Sequence, residues 1–325
     1  MAALERIYHP TPAQLLALAA LYEQAGLAAA GRWDCLAAVW EDGELAAAGI
    51  REGKVLTHLA AAPGRQGEGL MAAVVSELVK EAAEQGIYRL FLFTKLKNRE
   101  AFSALGFYPL AETEEATMLE NQRDGLAKFL RPIPVDETGQ AGCIVAHANP
   151  FTLGHLALVE KAAAQCRRVY LFILAEETAP FSPAERLKMA KKAVKGLPGV
   201  MVLSGGDYLV SAATFPDYFY PDRAAGRKAN CQLDLTLFGQ KIAPALGIGT
   251  RFVGTEPFSR VTDDYNRAMA ELLPGMGVRV SVMPRVEISG LPISASQVRQ
   301  ALAAGDFAEA KRLCPFLPHK EEGIL

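Results

Sequence analysis

The chain has 325 residues, half of them apolar and 22% charged, with a formal net charge of −2. That length is enough for two domains with separate cores, and the near-neutral balance, with no basic cluster or aromatic-interleaved basic stripe, excludes a bulk nucleic-acid binder. No uninterrupted apolar stretch is long enough for a membrane span and no basic start with an apolar core opens the chain, so a cytoplasmic enzyme without membrane partners is expected.

Taken in order, Thr11 to Ala25 reads as a helix entered through Pro10-Thr11-Pro12. Cys35–Glu41 and Glu44–Glu52 read as strands paired across Asp42-Gly43, a turn dipeptide, and Leu56–Ala62 as a further strand. Pro63-Gly64-Arg65-Gln66-Gly67-Glu68-Gly69 then leads into a long amphipathic helix ending at Gly86. A glycine-rich turn at a helix start suggests a pyrophosphate cradle. Ile87 to Thr94 is another strand. The proline-rich, polar run Arg131 to Gly139 reads as a boundary loop, which sets expected domains of 1–131 and 132–325.

The second domain opens on an apolar run, Cys143 to Ala148, broken by Asn149-Pro150 before a helical pattern that begins near Gly154. Strand-like runs at Val169–Ala175, Val200–Leu203, Arg251–Gly254 and Arg279–Met283 alternate with helical patterns, which predicts a doubly wound parallel sheet. Ligands of such sheets gather at the carboxyl ends of the strands. The five cysteines, Cys35, Cys143, Cys166, Cys231 and Cys314, are widely spaced and never form C-x-x-C. Core thiols are therefore expected rather than a disulfide frame or a zinc site, and the histidines add no metal-ligand spacing.

Thr152-Leu153-Gly154-His155 places a hydroxyl, a missing side chain and an imidazole at the amino end of a helix, where free N–H groups and the helix dipole favour a phosphate chain. This tetrapeptide, after Asn149-Pro150-Phe151, resembles the [H/T]-x-G-H signature of the nucleotidylyltransferase superfamily. Ile293-Ser294-Ala295-Ser296-Gln297-Val298-Arg299 resembles the I-S-x-S-x-x-R element near the end of the same domains. The resemblance implies that Gly154 lets a nucleotide approach the backbone, that His155 stabilises charge at an α-phosphate, and that Ser294, Ser296 and Arg299 meet phosphate oxygens. In the first domain, Lys97 to Tyr108 resembles the asparagine-led F-x-x-x-G-F closing element of the GCN5-related acetyltransferase (GNAT) fold, although Gly64 stands where that fold carries Arg or Gln.

Read together, Ala148 to His155, Ser204-Gly205-Gly206-Asp207-Tyr208 with Ala213-Thr214-Phe215-Pro216, Leu235 to Gly239, and Gly254-Thr255-Glu256-Pro257 with Thr262, Tyr265 and Asn266 resemble the [citrate (pro-3S)-lyase] ligase family over essentially the whole chain. That resemblance implies a GNAT-like α+β front domain followed by a Rossmann-like nucleotidylyltransferase domain. It also implies an ATP- and Mg2+-using ligase that turns acetate into acetyl-AMP, and then acetylates the thiol of a dephospho-CoA-derived group on the acyl carrier (gamma) subunit of citrate lyase. The residues it carries over are His155, Thr152 and Arg299 for catalysis and Asn149, Pro150, Phe151, Gly154, Asp207, Gly254, Glu256, Ser294 and Ser296 for the nucleotide, with no protein-held metal. The loop Thr178 to Pro183 lacks an expected basic residue, for which Arg186 is a substitute unless it is a surface helix cation.

Bland roles compete at each position: Thr152, Ser294 and Ser296 as caps, Arg299 in a surface ion pair, His147 as a polar loop residue, Asp207 and Glu256 as turn carboxylates, Tyr265 and Asn266 as packing and surface. A plain adenylyltransferase of a phosphopantetheine-like molecule fits the first motif as well but leaves the front domain unused. A nucleotide sensor without catalysis is the third alternative.

Overall fold

The computed structural model describes residues 3–209, 231–256, 259–288 and 291–318, so Ala213–Pro216 and Pro257 of the resemblance lie outside the described residues. Two compact units are formed, the first on residues 3–127 with 231–233 and the second on residues 128–209 and 234–318.

The first unit is a seven-stranded sheet in the order β1-β2-β3-β4-β5-β7-β6. Its strands are β1 (Ala3–Ile7), β2 (Cys35–Glu41), β3 (Glu44–Glu52), β4 (Val55–Ala61), β5 (Phe91–Lys95), β6 (Tyr108–Glu112) and β7 (Ala116–Glu120). Helix α1 (Pro12–Ala25) starts on a Thr11–Gln14 capping box with Pro12 in its first turn, as the sequence predicts. Strands β4 and β5 pair in parallel only at Val55–Phe91 and Leu56–Leu92 and then part company. The turn that follows β4 carries Gly64, Gly67 and Gly69 at φ 81°, 92° and 79° and enters α2 (Leu70–Glu84). Strands β1, β6 and β7 went unrecognised in the sequence, because runs such as Ala3–Ile7 and Tyr108–Glu112 carry no clear alternation and no hairpin dipeptide.

The second unit is built on a five-stranded, wholly parallel sheet. Its strands are β8 (Ala141–Ala146), β9 (Val169–Ile173), β10 (Val200–Ser204), β11 (Ile248–Gly254) and β12 (Arg279–Met283), in the order β10-β9-β8-β11-β12. The chain steps outward from β8 through β9 to β10, then returns to the other side of β8, and the β8–β11 seam is where crevices open in doubly wound sheets. All five residues of β9 are buried, the near-continuous apolar run expected when helices cover both faces. Helices α5 (Leu153–Ala163) and α6 (Pro183–Ala193) follow β8 and β9, and a helical stretch over 231–246, here α7, precedes β11. After it come α8 (Arg260–Leu272), a two-stranded ribbon β13 (Glu287–Ile288) and β14 (Leu291–Pro292), α9 (Ala295–Ala303) and α10 (Phe307–Leu313).

The proline-rich boundary loop is fastened to this second sheet. The Tyr170 hydroxyl lies 2.6 Å from the Pro134 carbonyl and 3.0 Å from that of Leu246, and Arg168 donates to the Pro134 and Val135 carbonyls, each at 2.9 Å. Gly247, at φ 70°, ends α7 with the Asp136 carbonyl oxygen only 1.8 Å from where a Cβ would stand, so no other residue fits that crossing. No helix among the described residues is long and apolar enough to cross a membrane. Cys35, Cys143, Cys166 and Cys314 are buried free thiols, as expected.

One ion pair lies inside the first unit. Arg51 donates to both oxygens of Glu81, at 2.6 and 3.0 Å, with both side chains almost wholly buried, and its third nitrogen reaches Asp34 at 3.2 Å. Removing one partner leaves the other charge desolvated and unpaired. Arg51→Met should therefore cost about 3–5 kcal/mol in the unfolding transition of this unit, and Arg51→Met with Glu81→Leu should recover most of it, measured by urea unfolding followed by circular dichroism.

Candidate functional site

The turn between β8 and α5 is shaped by its own residues. Ala148 sits at φ 50°, a left-handed conformation that few non-glycine residues adopt, and Asn149, Pro150 and Phe151 behind it are buried. Asn149 donates its amide to the Thr178 hydroxyl (3.1 Å) and the Ala179 carbonyl (2.9 Å), tying the β9–α6 loop to the turn. Phe151 is wholly enclosed, its ring 5.3 Å from that of His155, and the Cys314 thiol donates to its carbonyl at 3.0 Å.

Thr152 is the N-cap of α5. Its backbone N–H donates to His155 Nδ1 at 3.0 Å, and its Oγ1 lies 2.9 Å from the same nitrogen. Nδ1 therefore accepts, and the neutral imidazole carries its proton on Nε2. Burial, assisted by the charge of Arg285 and by His147, pushes the His155 pKa down to about 4. At neutral pH the ring is an uncharged donor at a helix start.

A cavity of about 740 Å3 opens over this turn, along the carboxyl ends of β8 and β11 and against α9. Its wall includes nine of the predicted residues: Thr152, His155, Arg299, Asn149, Gly154, Gly254, Glu256, Ser294 and Ser296. His147 joins them, its Nε2 3.1 Å from the Thr178 hydroxyl and its pKa lowered by burial and then by Arg186. Pro150 and Phe151 shape the turn from behind instead of facing the cavity. Asp207 falls outside the wall, in the turn after β10 beside Tyr208, whose ring packs 5.2 Å from Phe129. That turn follows the edge strand, two strands away from β8.

The distal motif meets the turn through Arg299. Its Nη1 donates to the Asn149 carbonyl at 2.6 Å and its Nη2 to Ser296 Oγ at 3.0 Å, so its observed partners are not those of a surface ion pair. Ser294 is the N-cap of α9 in a capping box with Gln297, and Ser296 is exposed in the first turn of that helix. A Cβ on Gly154 would lie 3.4 Å from the Ile293 carbonyl and 3.5 Å from Thr152 Oγ1, which is ordinary contact. Protein packing does not demand a glycine at that position. Its missing side chain is space for something else.

The far wall comes from β11 and β12. Asn266 donates to the Gly254 carbonyl at 3.2 Å and lines the cavity, whereas Tyr265 turns away to bond Asp234, whose pKa burial raises to about 6. Arg285 and Lys161 also line it and escaped the sequence reading, since each is a single cation outside any motif. The only available signal was position: Arg285 follows the carboxyl end of a predicted strand. Arg186 corrects both alternatives offered for it. It is neither a surface cation nor part of the wall: it is fully buried, its Nη1 donates to the His147 carbonyl at 2.8 Å and its Nη2 to that of Glu176.

The citrate lyase ligase C-terminal domain model matches residues 141–320, and the acetyltransferase (GNAT) family model matches residues 2–108. A [citrate [pro-3S]-lyase] ligase of Klebsiella pneumoniae is 39% identical over 278 residues, covering 83% of this chain and 81% of that protein. The chain belongs to the citrate lyase ligase family. The Escherichia coli (strain K12) ligase of the same name is 37% identical over 290 residues, 85% of this chain and 81% of that protein. A phosphopantetheine adenylyltransferase of Dehalococcoides mccartyi is 36% identical over 67 residues, 20% of this chain and 42% of that protein. As a citrate lyase ligase family enzyme, the chain joins a GNAT-like domain to a nucleotidylyltransferase-like one.

Two expectations follow from the turn. Gly154→Ala should leave the thermal midpoint unchanged or raise it slightly, because the added methyl meets only ordinary contacts at a helical position, yet weaken nucleotide binding measured by calorimetry. The unfolded chain protonates His155 near its ordinary value of 6.5, while the folded chain holds it neutral down to about 4. Stability should accordingly fall as pH drops through that window, and His155→Asn should flatten the slope of the urea midpoint between those pH values.

Proposed function

We propose that this enzyme is an ATP-dependent ligase that activates acetate as acetyl-AMP with release of pyrophosphate, and then acetylates the thiol of the dephospho-CoA-derived group on the acyl carrier (gamma) subunit of citrate lyase. The observation that supports this most is the convergence of Thr152, Gly154 and His155 with Ser294, Ser296 and Arg299 around one cavity, from segments about 140 residues apart in sequence. In this reading the domains run 1–131 and 132–325, and the first serves the thiol-bearing partner.

An acetate oxygen attacks the α-phosphorus and the bond to the β-phosphate breaks, so the electron pair departs with pyrophosphate. The sulfur, having given up its proton, then attacks the acetyl carbonyl and AMP leaves. The protein's part is to position and neutralise. The α5 start and its free N–H groups hold phosphate oxygens, His155 Nε2 donates to the oxygen that gains charge, and Arg299 adds a cation from the first turn of α9. Among the described residues no three His, Cys, Asp or Glu side chains gather around one point, a donor set that fits Mg2+ carried mainly by substrate phosphates. When bound, that ion neutralises the departing pyrophosphate.

The partial likeness to a phosphopantetheine adenylyltransferase keeps one second reading in view, adenylyl transfer to a phosphorylated small molecule. Exchange of labelled pyrophosphate into ATP separates them. With Mg2+, no carrier protein and acetate present, exchange should appear, and it should vanish without acetate. Exchange that needs phosphopantetheine in place of acetate would overturn the ligase reading. In the same assay His155→Ala should lower the maximal rate about a hundredfold with a small change in the ATP half-saturation, as for loss of one charge-stabilising donor.

A further inference from the structure

Among the described residues, the cavity wall carries the fixed cations Lys161, Arg285 and Arg299 and a single carboxylate, Glu256. A lone acid facing a site for anionic substrates needs an account. Glu256 spends its charge on Arg285: one oxygen pairs with Nη2, and the other accepts from the Ser259 N–H at 3.2 Å, which keeps the carboxylate at the cavity edge. Further contacts steer Arg285. Nε donates to the Thr255 carbonyl at 2.7 Å and Nη1 faces the Ile293 carbonyl at 3.4 Å.

That Ile293 carbonyl is the same atom that stands 3.4 Å from the Cβ position of Gly154. The guanidinium therefore lies against the cavity floor, close enough for its charge to bear on the His155 imidazole. The pair is partly buried, with the Arg285 side chain 25% exposed and that of Glu256 10%, so opening it costs free energy unless an incoming oxyanion takes the carboxylate's place on Arg285. A guanidinium bonded to an oxyanion in forked geometry holds it more firmly than a single contact does.

We propose that Arg285 is an oxyanion-binding residue of this cavity, held by Glu256 while the site is free and handed over when a substrate oxyanion takes the carboxylate's place. The inference deepens the ligase reading and rests on its premise that the cavity takes anionic substrates. Phosphate of the nucleotide and carboxylate of the acid share the chemistry, and either serves as the incoming group. Glu256 is then an internal competitor whose presence sets a threshold: an anion that makes one contact does not displace it, and one that makes several does.

The test is calorimetric titration of the full chain with inorganic pyrophosphate, ATP and acetate in turn. Wild type, Glu256→Gln, Arg285→Met and the double variant are compared, each checked for an unchanged thermal midpoint. Glu256→Gln should tighten the anion that seats on Arg285 about fivefold, and Arg285→Met should weaken it about tenfold or more. The double variant should bind as weakly as Arg285→Met alone, because the competitor matters only while its cation is present. A response shared by pyrophosphate and ATP assigns the phosphate, and a response to acetate alone assigns the carboxylate. Failure of Glu256→Gln to tighten any of the three overturns the proposal, as does tightening that persists in the double variant or binding of none of the three to any form. Pyrophosphate exchange in the wild type reports on the ligase reading separately. Normal exchange with unchanged titrations rejects Arg285 alone, and absent exchange with the expected titrations rejects the ligase reading alone.

Discussion

The hydrogen bond from Arg299 Nη1 to the Asn149 carbonyl joins residues 150 positions apart, and the geometry of the site depends on it. One end is the first strand's exit turn, fixed from behind by Phe151 and from the side by the Asn149 amide. The other is the first turn of α9, whose register is set by the Ser294–Gln297 capping box. A charge-assisted bond to a backbone carbonyl fixes direction as well as distance. It sets the two helix starts, with their N–H groups, around one volume. The remaining Arg299 nitrogen is bonded to Ser296 and so points along the same wall.

How much of this was legible follows from where the information resides. The α5 start was legible because Thr152, Gly154 and His155 are local: a cap, a missing side chain and a ring that reaches back three residues all act within one turn. The parallel strands were legible because burial on both faces leaves long apolar runs such as Val169–Ile173. Asp207 was placed with the site on family resemblance, but its turn belongs to an edge strand, and strand order is not written in any one segment. Arg285 and Lys161 were illegible for the opposite reason. Each is one cation among the 34 Lys and Arg of the chain, and only the fold brings them to the cavity.

The first unit shows the same division. Its helix α1 and the Asp42-Gly43 hairpin follow local rules, and both form where those rules put them. The Gly64–Gly69 turn likewise takes positive φ at each glycine, yet Arg65 beside it is paired with Glu41 and Glu68. The left-handed backbone that the glycines permit is thus present while the cation beside it is already matched by acids. Backbone permissiveness and electrostatic readiness are separate properties, and a glycine pattern reports only the first.

Arg186 shows how the second unit supplies charge where net composition is silent. A wholly buried guanidinium bonded to the carbonyls of His147 and Glu176, with its Nε facing no acceptor, is expensive, and burial pulls its pKa down. An apolar side chain of similar volume would fill the space at lower desolvation cost, though it would leave two strand-end carbonyls unpaired. What the cation adds is a fixed positive charge behind the turn that already presents N–H groups and the positive end of α5. Water screens it little there, so its field extends into the cavity and adds to burial, the larger cause, in holding the neighbouring His147 ring toward its neutral form. A chain of net charge −2 in this way keeps a local positive potential, with three cations in the wall and one beneath it against a single facing carboxylate among the described residues.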